Sequence, residues 1–458
     1  LIQNSWDVSI QANNLVNHSV VGVKIVGGGN HQIVITKLWG VQGMGGPPPA
    51  IGIELKNTPT QTPGVSDAGN RINIEDVAFH HIGILLNSDS RNNIVSAYTV
   101  RDNQIGIMFD GAHENEFSPP VLIVPPRETM MPPYYVNNST IERNEIGVVF
   151  SGDSTANLVK KCMIRENLVG VKITTTSGVP EDNSITENWI ENNTQTGLMV
   201  ENSNKRNYVI NNAFEHNWND SNDTSGILVN SSSGALLILN NSFESERNGI
   251  IIEDSSNVEL RRNTIESSYD EGLLIQRSFS ILVADSQIVN GYDSGIHLVS
   301  SNSISMSKLV VSDNLGHGIE IEQSPVIPLG IIKIGGERTE KQGTTSENNE
   351  EWGGIIAPGV DGPNATGNTN ELLIKENNGK GVYIHDSAAP IQLSLVEIIL
   401  NGEEGVHIKN TSAVKITNSL IGVTSGGIIS GNGVNRASSG VLIESQTKQV
   451  RIGEAGEL

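Results

Sequence analysis

The sequence predicts an all-β solenoid, a parallel β-helix, on three observations. Gly226, Gly249, Gly272, Gly295 and Gly318 fall 23 residues apart, four times running. Each opens the pattern glycine, aliphatic, any residue, aliphatic, and this alternation gives a strand one buried face. Small polar turn residues separate the strands, and 23 residues is too short for a helical pair, so each repeat reads as one coil of a stacked array.

The opening strand recurs at Gly22, Gly52, Gly83, Gly106, Gly147, Gly170 and Gly197, and again at Gly381, Gly405 and Gly440. Its inward positions are aliphatic, as in Ile227 and Val229, Ile250 and Ile252, Leu273 and Ile275. A later strand of each coil turns Ile141, Ile164, Ile190, Phe214, Phe243 and Ile265 inward. Two residues before the last four of these stand Asn188, Asn212, Asn241 and Asn263. Equal parity directs these asparagines inward, where stacked carboxamides bond from coil to coil. Asparagine also tolerates the left-handed backbone of a tight turn. The single cysteine, Cys162, falls in the same column and reads as a small buried side chain rather than a nucleophile.

These repeats resemble the right-handed parallel β-helix repeat family of carbohydrate-binding and sugar-hydrolase domains, a group that includes the NosD-like periplasmic proteins. The late stretches IGGERTEKQG, IISGNG and VRIGEAGEL are similar to the glycine-rich turns of long secreted β-helix repeat proteins. The resemblance spans nearly all of the chain and implies about 16 coils, roughly 75 Å of solenoid at the spacing of adjacent strands. It specifies the fold, and this fold hosts many activities.

Composition agrees. There are 48 glycines, only 4% aromatic residues and no apolar run long enough for a transmembrane helix. A net charge of −22 excludes nucleic acid as a partner and favours cations or a cationic or neutral partner. The chain begins at Leu1 without a signal peptide, and reads as a processed piece of a larger protein.

In chain order, residues 1–82 form irregular coils interrupted by the Gly/Pro-rich loop GVQGMGGPPPAIG. Residues 83–117 are regular. A Pro-rich apolar insertion follows at 118–135, and its prolines exclude a central strand. Residues 147–321 carry the regular coils, with short additions before Gly226. A polar insertion at 337–353 is expected to protrude, after which coils resume near Gly354. One domain over 1–458 accounts for the whole.

Any chemistry must lie on the outward positions. One column reads Glu142, Arg165, Glu191, Glu215, Glu244, Glu266. Four successive carboxylates about 4.8 Å apart repel one another, which a cation such as Ca²⁺ or a bound sugar would relieve. The simpler reading is a solvated acidic face eased by Arg143, Arg165, Lys205 and Arg247. Trp189, next to inward Ile190, should point outward beside this stripe as a sugar contact, as should Trp218 and Trp352 in loops. The loop bearing Asn219, Asp220, Asn222 and Asp223 is rich in oxygen ligands for Ca²⁺, and otherwise is a turn.

A second outward column reads Lys24, Glu54, Leu85, Met108, Val149, Lys172, Met199, Leu228, Ile251, Leu274, His297, Glu320. Its apolar middle, from Leu85 to Leu274, is expected to be covered by another copy, a neighbouring domain or the Pro-rich insertion. The sequence LGHGIEIE around His317 resembles the Gly-His-Gly of polygalacturonases but lacks their paired aspartates and Arg-Ile-Lys partner. His297 and His407 occupy outward positions and read as surface histidines, and His80, His81 and His113 are no more specific.

The reading that follows is an extracellular or cell-surface β-helix with a structural, adhesive or assembly role, able to bind polysaccharide. The alternatives are a lyase, C5-epimerase or glycoside hydrolase of acidic polysaccharide, and a periplasmic NosD-like accessory protein. Few methionines, one cysteine and no paired histidines speak against copper handling.

Overall fold

The computed structural model describes residues 1–18, 20–40, 51–56, 69–120, 139–175, 178–219, 224–322, 332–334, 372–387, 390–411, 413–423, 427, 429–433, 439–444 and 447–453. The chain is a right-handed parallel β-helix, with no helix among these residues. Among the described residues sixteen strands, one per coil, form the first sheet. Ser225–Asn230 pairs in parallel with Asn248–Glu253, which pairs with Leu273–Gln276, which pairs with Ile296–Val299. The remaining strands wrap round the other side as a second, bent sheet, again joined one coil to the next. Thus Leu236–Leu239 lies on Ser256–Arg261, and Ser242–Glu244 on Thr264–Glu266.

The alternation in sequence is the alternation in burial. Ile227, Val229, Ile250, Ile252, Leu273 and Ile275 are fully buried. Identical residues stack at the coil spacing, with the rings of Phe109 and Phe150 4.9 Å apart and those of Phe214 and Phe243 4.8 Å apart.

The glycine that marks each coil is there for lack of room. A Cβ on Gly249 would sit 2.5 Å from the carbonyl oxygen of Gly272, and one on Gly272 would sit 2.7 Å from that of Gly295. Each glycine is therefore required by the backbone carbonyl of the next coil, which every coil presents at the same place.

The asparagine column is a buried ladder. The Nδ2 of Asn188 donates to Oδ1 of Asn212 (3.0 Å), Asn212 to Asn241 (3.0 Å) and Asn241 to Asn263 (3.1 Å). The backbone amide of each also donates to the carboxamide of the next coil, as from Asn241 to Asn263 at 3.0 Å. Cys162 occupies the column as expected, and its amide donates to Oδ1 of Asn188. One expectation is corrected. The left-handed residues of this turn are not the ladder asparagines but those just before them: Glu187, Asn211, Asn240 and Arg262. The asparagine instead receives the backbone that this turn has swung out of line.

Two further ladders line the other corners. Asn103, Asn144, Asn167, Asn193 and Asn217 link in turn at 2.7–3.1 Å. Asn70, Asn93, Asn115, Asn157, Asn183 and Asn207 do the same.

Candidate functional site

The outward face of the first sheet changes character along its length. In its middle it is apolar. Leu85, Val149, Met199 and Ile251 are already buried within one chain, while Met108, Leu228 and Leu274 are half-buried. Each lies in register with its neighbours one coil away, so the column shields itself side by side.

At the C-terminal third the same column becomes chemical. His297 pairs with Glu320, Glu320 with Tyr383, and Tyr383 with His407. Two residues on, Glu322, His385 and Lys409 form a parallel column. The turn before each strand supplies a third, through Glu271, Ser294, His317, Lys380 and Glu404, which precede successive glycines that hydrogen-bond coil to coil. Strand alternation and the turn before it thus gather four histidines, a tyrosine, two lysines and several carboxylates on one face.

Tyr383 is at the centre. Its ring stacks on His385 (4.5 Å between centroids), and lies 5.0 Å from His407 and 5.2 Å edge-on from His317. Lys380 Nζ stands 4.8 Å from the ring centre and pairs with Glu403 at 2.8 Å. His385 Nε2 meets Glu320 at 3.2 Å, and Ser294 donates to the other oxygen of Glu320. His297 Nδ1 meets Glu271 at 3.2 Å, and His407 Nε2 meets Glu444 at 3.0 Å. The second nitrogens of His297 and His407, Nε2 and Nδ1, are buried without a hydrogen bond.

The environment splits the protonation states. Burial works against ionised Glu320, but the His385 bond and the charges of His297, His317 and His385 outweigh it and hold the carboxyl near about 2. The bond from His297 likewise lowers Glu271 against its burial. Burial disfavours the His297 cation, yet the bond to Glu271 and the Glu320, Glu271 and Glu322 charges raise its pKa. The bond to Glu320 raises His385. His317 goes the other way, lowered by burial. Its Nδ1 accepts the Lys380 amide (3.0 Å), so the proton of the neutral ring sits on Nε2. Burial and the surrounding carboxylates raise Tyr383. Neighbouring groups with pKa values pushed apart are the arrangement that proton transfer needs.

The other sequence-predicted residues are placed as follows. Glu191, Glu215, Glu244 and Glu266 do stack in register on successive coils. Each of three has a partner: Glu191 has Arg165 at 3.9 Å, Glu215 the Trp189 indole at 3.2 Å, and Glu266 the Asn290 amide at 3.0 Å. Burial raises the pKa of Glu191, Arg165 opposes this, and Glu215 adds to it. Asp220, Asn222, Asp223 and Trp352 lie outside the described residues, as do the 337–353 insertion and most of 118–135. Among the described residues no three His, Cys, Asp or Glu side chains are grouped to hold a metal ion.

Sequence reading singled out His297, His317 and His407 separately but did not join them, and it missed Tyr383, Lys380 and His385. The signal was present in GVYIH after Lys380 and GVHIK after Glu404, where alternation puts Tyr383, His385 and His407 outward. The long interruption between Gly318 and Gly381 hid that these coils are neighbours.

Two families match the chain. One, described as right-handed beta helix region, matches residues 225–421, and the other, periplasmic copper-binding protein (NosD), matches 40–226. Each covers less than half of the chain. No curated protein matches in sequence. Among solved structures, the A-module of mannuronan C-5 epimerase AlgE6 from Azotobacter vinelandii is 10% identical with a TM-score of 0.37, over 95% of this chain and 91% of that one. The periplasmic alginate epimerase AlgG is 14% identical at a TM-score of 0.41, over 84% and 76%. The tailspike protein of E. coli bacteriophage HK620 is 10% identical at 0.41, over 94% and 73%. Likenesses this distant do not bear on activity. The described residues do not fit the copper of the NosD description. Cys162, the one thiol, is fully buried and burial pushes its pKa up, and the close pair His18 and His80 meet Nε2 to Nε2 at 3.0 Å, as hydrogen-bonded rings.

Proposed function

We propose that this chain, a right-handed parallel β-helix repeat protein, works outside the cytoplasm on a polysaccharide, with the Tyr383 cluster as its proton-transfer centre. The observation that carries the reading is the contact of Tyr383 with three imidazoles, of which Glu320 biases His385 toward its cation while burial biases His317 toward its neutral form. A glycan lying along the first sheet would cross this cluster. His317 would take a proton from the sugar, and the Tyr383 hydroxyl, His385 or Lys380 would give one or stabilise developing negative charge. The periplasmic description of one matching family supports a location beyond the inner membrane, and no helix among the described residues is long and apolar enough to cross a membrane.

The test is incubation with a panel of uronate, neutral and amino polysaccharides, reading new reducing ends, unsaturated products and uptake of solvent deuterium. Turnover by the wild type that falls at least about a hundredfold in Tyr383→Phe and His317→Gln is the expected result. Binding without turnover would leave the adhesive reading in its place. Neither binding nor turnover would remove the carbohydrate reading of this cluster.

A further inference from the structure

A groove of about 570 Å³ opens on the second sheet near the other end of the solenoid, lined by Thr36, Lys37, Trp39, Glu75, Asp76, Tyr98, Thr99 and Arg101. Its origin is a slip in strand parity repeated on three coils. Ile35, Ile74 and Ala97 point inward, and so do Leu38, Val77 and Val100 three residues later. Between them two consecutive side chains face outward on each strand: Thr36 and Lys37, Glu75 and Asp76, Tyr98 and Thr99. The strands bend there, and the first residue of each pair drops out of the regular register. The volume lies within the range of about 300–1,000 Å³ seen for organic ligands.

Part of the lining is fixed. Trp39 Nε1 donates to Asp76 (2.7 Å), and Arg101 grips the same carboxylate at 2.9 and 3.1 Å and reaches Asp102 at 2.6 Å. Phe79 packs edge-on against the indole. The rest of the lining is unengaged: the hydroxyls of Thr36, Tyr98 and Thr99 and the carboxylate of Glu75 have no hydrogen-bond or ionic partner among the described residues. With Asp76 and Arg101 neutralising each other, one cation, Lys37, and one anion, Glu75, remain. The groove therefore offers rigid aromatic edges, several free hydroxyls and no net charge.

We propose that this groove binds an uncharged oligosaccharide, whose hydroxyls bond Thr36, Glu75, Tyr98 and Thr99 while its apolar face rests on the Tyr98 ring, the Trp39 ring being already met by Lys37 and Arg101. Donors and acceptors in balance suit sugar hydroxyls, and the absence of net charge disfavours a uronate. It rests on the same carbohydrate reading as the Tyr383 cluster but on different residues at a distance along the chain.

The probes are hexasaccharides of β-1,4-glucan, mannan and xylan, with a polyuronate hexamer for comparison, titrated calorimetrically. Trp39 is half-buried and bonded, so the variants are Tyr98→Phe and Glu75→Gln, which keep shape. At least one neutral hexamer should bind the wild type more tightly than the uronate, and each variant should weaken it about tenfold or more with an unchanged melting temperature. Tyr383→Phe should leave this binding intact while abolishing turnover, so the two sites fail separately. Absence of binding by every neutral hexamer, preference for the uronate, or full affinity in both variants would overturn the proposal.

Discussion

Asn217 directs both its backbone amide and its side-chain amide at the carboxylate of Glu246, at 2.9 and 2.8 Å, inside the dry core of the solenoid. Glu246 takes the place of the next asparagine in the ladder that runs up from Asn103. It is fully buried, and burial pushes its carboxyl up to about 8 against the pull of the two Asn217 bonds, with Glu215 adding to the rise. One coil further, the buried hydroxyl of Ser268 has no hydrogen-bond partner.

A carboxyl whose pKa is higher folded than unfolded stabilises the native state below its unfolded value and loses that contribution as pH rises through the folded one. Glu246 should therefore weaken the fold progressively between about pH 4.5 and 8. Glu246→Gln removes the titrating group and keeps one of the two acceptors for Asn217. Its stability by chemical denaturation, compared with wild type across pH 4.5 to 9, should gain steadily on it, by on the order of a few kcal/mol between the two ends. A constant difference across that range would show that Glu246 does not titrate as a buried acid.

The coil glycines make a steric prediction. A Cβ at Gly249 meets both the Gly272 carbonyl and the Ile265 side chain. Backbone cannot yield as a flexible side chain can, so Gly249→Ala should cost about 1–3 kcal/mol despite adding one methyl group. Chemical denaturation would measure it, and a neutral or stabilising effect would mean that the coils can spread.

The ladder makes a polar one. Oδ1 of Asn263 accepts from both the amide and the side chain of Asn241, and its Nδ2 donates to the Ile238 carbonyl at 2.9 Å. Asn263→Leu would strand the Asn241 backbone amide and take the side-chain donor from the Ile238 carbonyl, at about 1–3 kcal/mol for each that finds no other partner, while the Asn241 side chain keeps the Val209 and Leu239 carbonyls. Asn263→Ser should cost less, since a serine hydroxyl already does this work at Ser286, accepting the Asn263 amide at 3.1 Å. Equal melting temperatures for the two variants would count against it.

The fold was legible because one constraint repeats: Gly249, Ile250 and Ile252 have the same environment as Gly272, Leu273 and Ile275, so periodicity alone reveals the core. One ladder was visible for the same reason. The second, Asn103 to Asn217, was written just before the glycines, yet the 41 residues between Asn103 and Asn144 broke its period. The Tyr383 cluster was harder still. Its members come from coils separated by a long interruption, and what makes it a site is adjacency across coils, which no single stretch of sequence contains. The parity slip behind the Trp39 groove resembles ordinary irregularity until three strands are laid side by side.

The charge pattern around Glu320 gives the last prediction. His297 lies one coil before it and His385 one coil after, and the carboxylate raises both imidazoles. Removing its charge in Glu320→Gln should lower the pKa of both, and His385 more, because it loses a direct bond at 3.2 Å whereas His297 keeps Glu271. His317 should fall as well, since Glu320 is the largest influence opposing its burial. Imidazole titration followed by NMR reads all three. Raised histidines stabilise the fold below their unfolded pKa and lose that contribution as pH rises through the folded value. The wild type should therefore lose part of its advantage over Glu320→Gln above about pH 6.5. Glu320 itself adds stability that is present above about pH 4.5 and lost only as pH falls toward about 2. The advantage of the wild type should thus be greatest between about pH 4.5 and 6.5 and shrink on either side. If His385 and His297 shift equally, or neither shifts, the ion pair with Glu320 is not what orders the protons of this face.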